Sequence, residues 1–190
     1  MFHRRRAPHG ETMKTRLSVL ALVLGTLSPA LGQQTPHPLC VAGPEATFQD
    51  DLLDKLAGKW TLSGNMMGRE LLQGCSGEWV LHHKFMRLDC RETRHPPLLG
   101  VRYESSMYVG CSSDSQRYVV YLLDIFGGGD TLGFGHRIGQ AFQFTWASPN
   151  SVTENTFTWD AESGVWTSSI RQKDPSGQWK VFAEKKLRRN

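Results

Sequence analysis

The sequence predicts an all-β chain closed into a single antiparallel up-and-down barrel of about ten strands, with a short helix ahead of it. Two observations carry this. From Gly58 to the C-terminus, apolar and polar residues alternate with period two in ten short runs. Between the runs stand tight turn signals such as Gly127-Gly128-Gly129-Asp130 and Asp174-Pro175-Ser176-Gly177, and no stretch long enough for a crossover helix. Sequential hairpins of this kind close into a barrel whose interior is either packed solid or holds one ligand.

The elements follow in order. Phe48, Leu52, Leu53 and Leu56 recur at helical spacing among Asp50, Asp51, Asp54 and Lys55, predicting an amphipathic helix over 45–56 that ends at Gly58 and plugs or flanks one barrel mouth. The first strand is 58–66. The next two, about 71–81 and 84–93, are joined by a two-residue loop at His82-His83. That register sets Glu78 against Arg87, Trp79 against Met86 and Cys75 against Cys90. A fourth strand runs to Cys111, turns over 112–116 and returns through 117–126. Strand 131–138 turns at Gly139-Gln140 and comes back through Phe142, Phe144 and Trp146, with Gly133 and Gly135 opposite these rings. After Pro149-Asn150 come strands 151–160, 165–173 and 178–187. Setting Lys173 opposite Gln178 puts Phe157, Trp159, Trp166, Ile170, Trp179 and Val181 on one core face.

Residues 1–32 are read as a leader rather than as part of the fold. Met13-Lys14-Thr15-Arg16 is a basic lead, 17–27 is an apolar run too short to span a bilayer, and Ala30-Leu31-Gly32 supplies the small residues a signal peptidase reads. Translation is expected to start at Met13, and the mature chain at Gln33. Residues 33–44, with three prolines, form an extended lead-in, and 45–190 form one barrel domain. The leader also accounts for the charge. The chain carries 22 basic and 18 acidic residues; the leader holds five and one of these, leaving 17 of each. A near-neutral mature protein excludes nucleic acid as the expected partner. The expectation is a monomer, exported to the periplasm or medium, without stable membrane insertion. Lys185-Lys186 with Arg188-Arg189, the one basic cluster left, reads as a solvated strand end.

Export permits disulfides, and the four cysteines allow three connectivities. The hairpin register favours Cys75–Cys90, and elimination then leaves Cys40–Cys111 to tie the lead-in to the barrel. Counted from a two-residue loop, however, positions 75 and 90 form a hydrogen-bonded pair, where cross-strand bridges are rarer, unless a bulge near Gly74 or Gly77 intervenes.

Several of these residues resemble the bacterial lipocalin-like proteins catalogued as a domain of unknown function, within the wider lipocalin and calycin group. Leu56-Ala57-Gly58-Lys59-Trp60 is similar to the family's opening Leu-x-Gly-x-Trp, in which the tryptophan closes one barrel end. Tyr118 to Asp124 with Gly127 resembles its tyrosine-led strand and glycine turn, and 178–188 its closing strand. His82-His83 stands where the family has Gly-Gly, and Gly110-Cys111-Ser112 where it has Gly-Tyr-Asp. The resemblance implies a barrel with room for a pocket and no chemistry.

Catalytic signals are thin: there is no Gly-x-Ser-x-Gly elbow and no phosphate-cradling loop before a helix. No metal or cofactor is expected. His82 and His83 point to opposite faces if they lie on a strand. His136 is read as a structural histidine or, at most, as a pocket group able to ligate a haem iron. The six tryptophans, nine phenylalanines and four tyrosines are mostly core, with Tyr108, Tyr121, Phe142, Phe144 and Trp146 the candidates for lining a residual apolar cavity. Three functions compete: an exported binder of a small apolar or amphipathic ligand, a solid structural barrel of the envelope, and an enzyme working at the barrel mouth. A cavity separates the first from the second; convergent polar groups with perturbed pKa values would mark the third.

Overall fold

A computed structural model describes residues 40–97, 99–127, 131–148 and 151–190; the leader and most of the lead-in lie outside the described residues, as do parts of the turns at 127–130 and 149–150. Ten antiparallel strands close on themselves: β1 Gly58–Met66, β2 Arg69–Val80, β3 Phe85–Glu92, β4 Glu104–Ser112, β5 Arg117–Asp124, β6 Leu132–Ile138, β7 Ala141–Ala147, β8 Val152–Asp160, β9 Val165–Lys173 and β10 Trp179–Arg189. Each strand pairs with its neighbours in sequence, and β1 pairs with β10 to complete the barrel. Closure leaves no free sheet edge.

The helix predicted over 45–56 does not form; only one 3₁₀ turn, Leu53–Leu56, is present. Three hydrogen bonds explain the difference, one long-range and two local. The Phe48 N–H donates to the His83 carbonyl at 2.9 Å, holding the preceding segment against the β2–β3 turn. The Asp50 carboxylate then accepts the Leu52 and Leu53 N–H groups, each at 2.9 Å, so the turn starts at Asp50 and not at Glu45. The apolar positions still do the work expected of a plug. Phe48, Leu52, Leu53 and Leu56 are buried beneath the barrel end.

Trp60 seals that end. It is fully buried, its indole N–H donates to the Leu56 carbonyl at 2.8 Å, and the Arg189 guanidinium lies 4.3 Å from its ring centre. Arg189 also donates to the Ala57 and Lys55 carbonyls, at 2.9 and 3.2 Å, so one side chain ties the last strand to the plug and to the first strand.

The β2–β3 register is the one the sequence predicts, but the loop is a four-residue turn rather than a two-residue one. Leu81, His82 and His83 all have positive φ (52°, 55° and 60°), and the Lys84 N–H returns to the Val80 carbonyl at 3.1 Å. Left-handed backbone costs an L-residue about 1–2 kcal/mol, whereas glycine adopts it freely. Docking offsets the strain: the His83 ring stacks on Trp79 at 4.0 Å, and its carbonyl takes the Phe48 N–H. The longer turn also moves the hydrogen-bonded positions by one residue. Cys75 and Cys90 stand 4.2 Å apart at Cα, the spacing of a non-hydrogen-bonded pair, and are bridged with no bulge in the ladder. The second disulfide joins Cys40 to Cys111, and the Gln116 amide clasps the Cys40 backbone, donating to its carbonyl at 3.0 Å and accepting its N–H at 3.3 Å.

One register differs. Lys173 faces Trp179 rather than Gln178, and a bulge between Val181 and Ala183 changes the parity of the rest of β10. Trp179 and Val181 therefore face solvent (40% and 63% exposed), while Phe182, Ala183, Lys185 and Leu187 turn inward.

Candidate functional site

Alternation along each strand selects the inward side chains, and their sizes divide the interior into two halves. At the sealed end Tyr118, Phe142, Phe144, Phe157 and Trp166 pack ring against ring, with centroids 5.2 to 6.5 Å apart, and are buried. Gly135 makes this possible. A Cβ there would stand 2.4 Å from a Phe144 ring carbon. At the other end, where β1 finishes and β2 begins, the barrel holds a partly open cavity of about 470 Å³. Met66, Leu71, Leu122, Trp146, Ile170 and Phe182 form its apolar wall, and the loop residues Leu99, Tyr103 and Phe126 stand over it. Its volume lies in the range of small-molecule sites.

Two charged groups line the cavity, Asp124 and Lys185. Asp124 is engaged: it accepts the Tyr103 hydroxyl at 3.1 Å and the Phe126 N–H at 2.9 Å. Burial, then the Asp124 charge, pushes the Tyr103 phenol well above its ordinary range, so it stays a proton donor to Asp124 and cannot serve as a base. Among the described residues Lys185 forms no hydrogen bond or ion pair, and burial lowers its ammonium to about 8. Below it the interior stays polar. Gln73, Asn155 and Ser168 are buried; the Ser168 hydroxyl donates to the Asn155 side-chain oxygen at 2.9 Å, and Gln73 Nε2 has no partner.

The predicted pocket residues separate. Trp146 lines the cavity, while Phe142 and Phe144 point inward but belong to the packed ring cluster. Tyr108 and Tyr121 face each other on the outer wall between β4 and β5, and Tyr121 is 40% exposed. His136 is also outward and exposed, because Gly133, Gly135 and Arg137 take the inward positions of β6; it can ligate nothing inside the barrel. Lys185 was hidden in the basic C-terminal run. Its signal was parity, since Ala183, Lys185 and Leu187 alternate with charged residues in the closing strand.

Two other concavities are occupied by the protein's own paired charges. The broad groove over β2–β4 is lined by charges that pair among themselves, Arg87 with Glu78 and Asp89, and Arg91 with Glu104. The cleft at the sealed end contains Asp50, Asp51 and Arg137, but these form a closed structural network with Tyr118 and the plug. Among the described residues, no three His, Cys, Asp or Glu side chains come together as a metal site. Compared with known proteins, the chain matches no family model and no curated sequence.

Proposed function

We propose that this protein is an exported barrel of lipocalin-like type that binds one small apolar or amphipathic ligand in the cavity between the ends of β1, β5, β7 and β10. The observation that carries the reading is the asymmetry of the interior. Aromatic rings fill one half, while the other leaves about 470 Å³ behind an apolar wall. A barrel built only as a scaffold gains nothing from that void, which forfeits dispersion contacts on every side. The leader, the two disulfides and the resemblance carried by Leu56 to Trp60 support export and the family. An enzyme at the mouth is disfavoured because Asp124, the carboxylate among the described lining residues, is already occupied by two donors.

Two measurements test the proposal. Native mass spectrometry of protein purified from its own host should show a co-purified small molecule. Titration with Nile red, an uncharged apolar dye, should show saturable one-site binding, and Thr153→Phe, which adds a ring to the cavity wall, should weaken it at least tenfold. Absence of both the extra mass and the dye signal would leave the barrel a structural element.

A further inference from the structure

Resting on that reading, we infer that the ligand is an acidic amphiphile, a single-chain carboxylic acid whose head group is held by Lys185 inside the barrel. A lysine directed into an apolar barrel is costly unless something pairs with it. Among the described residues none pairs with it, and the buried Glu92 carboxylate accepts the Tyr103 N–H instead. Lys185 forms no ion pair, and its in-register neighbours are Gly64 on β1 and Ser168 on β9, neither of which carries a carboxylate. The Ser168 hydroxyl is already committed to Asn155. The other charge in the cavity, Asp124, is held by Tyr103 and the Phe126 N–H. The unanswered polar groups on the cavity wall, the Lys185 ammonium and the Trp146 indole N–H, are both donors and one is charged, so the ligand feature that answers them is an anion.

The placement of polar groups sets the direction of the ligand. Lys185 lies one inward position deeper than Ala183, at the level of the small polar set Ser168 and Asn155. Gln73, 2% exposed and with its amide N–H₂ unpartnered, lies one inward position deeper than the cavity residue Leu71. The rim above is Met66, Phe126 and Leu122. Polar floor and apolar rim orient an amphiphile head-inward, with its chain towards the opening. At neutral pH an ammonium near 8 is still largely protonated and offers charge-assisted hydrogen bonds to a carboxylate.

Displacement of bound Nile red by dodecanoic acid, 1-dodecanol and dodecylamine at pH 7 tests this in the wild type alone. The acid should displace the dye at a concentration at least tenfold lower than the alcohol, and the amine should be the weakest. Lys185→Met should remove the preference, bringing acid and alcohol within about twofold, while Lys185→Arg should retain it. Equal displacement by acid and alcohol in the wild type, or tightest binding of the amine, overturns the inference and leaves the binding barrel standing. If Nile red does not bind at all, the binding reading itself fails. Should Lys185→Met not fold, Lys185→Gln carries the same comparison.

Discussion

At the sealed end of the barrel the central groups are paired: Trp60 is covered by Arg189, its N–H is taken by Leu56, and Asp50 binds two backbone N–H groups and the Tyr118 hydroxyl. At the open end an apolar wall surrounds a void; Gln73 Nε2 and the Trp146 indole N–H are buried without partners, and among the described residues Lys185 has no ion pair. The same strands build both ends, so the difference comes from side chains alone. Satisfied, close-packed groups stabilise; unsatisfied ones cost free energy and persist where a ligand answers them. The largest test of this contrast is a pair of tryptophans. Trp60→Ala should cost about 3–5 kcal/mol, as full truncation of a packed aromatic does. Trp146→Ala should cost roughly 1–2 kcal/mol less, because part of its surface already faces empty space. Urea denaturation of both variants gives the comparison, and equal losses would mean that the open end is as tightly packed as the sealed one.

A smaller effect, with the opposite sign, is expected at Lys185. Its ammonium is lowered by burial to about 8, from an ordinary value of 10.5. Between these values the unfolded chain holds a proton that the folded chain has given up, so wild-type stability rises with pH from about 8 to about 10.5. Below about 8 the full penalty applies. Lys185→Met should therefore stabilise the protein at pH 7, by about 3 kcal/mol at most, and the advantage should fade through that window. Tyr103 and Tyr118, both raised by burial, lose stability above pH 10, but they do so equally in both proteins and cancel in the difference. A gain independent of pH, or a loss at pH 7, would show that Lys185 is not a buried charge.

Most of the wall was legible in the sequence because strand alternation and short turns are local. The β2–β3, β6–β7 and β8–β9 registers follow from the residues next to their turns. The errors arose where a distant contact or a single extra residue intervened. Phe48 bonds to a turn 35 positions away, and that bond, with the Asp50 cap, replaces a helix by one 3₁₀ turn. The bulge at Val181/Ala183 reversed the faces of β10 and concealed Lys185. The pocket was the least legible part. A ring's parity says whether it points inward, and Phe142, Phe144 and Trp146 all do, but only the whole barrel shows which half the rings fill.

The smallest expected effect concerns Phe126, which stands over the cavity and is 73% exposed. An exposed phenylalanine contributes little to folding, so Phe126→Ser should leave stability within about 0.5 kcal/mol of wild type. Its ring lies 6.2 Å from that of Tyr103, whose hydroxyl is bound to Asp124, so the rim beneath it is fixed independently of Phe126. What the substitution removes is apolar surface at the opening. If the chain of a bound amphiphile passes beneath this ring, losing roughly 25–30 Å² of contact at about 25 cal/mol per Å² weakens Nile red and dodecanoic acid alike, by about threefold. Because the change lies at the rim and not at the floor, the preference for acid over alcohol should survive it. Loss of that preference would place the head group at the opening, with the tail buried, and reverse the orientation assigned to the ligand. A fall in stability beyond 1 kcal/mol would instead make Phe126 part of the core, and the open end would differ from the sealed one only in degree.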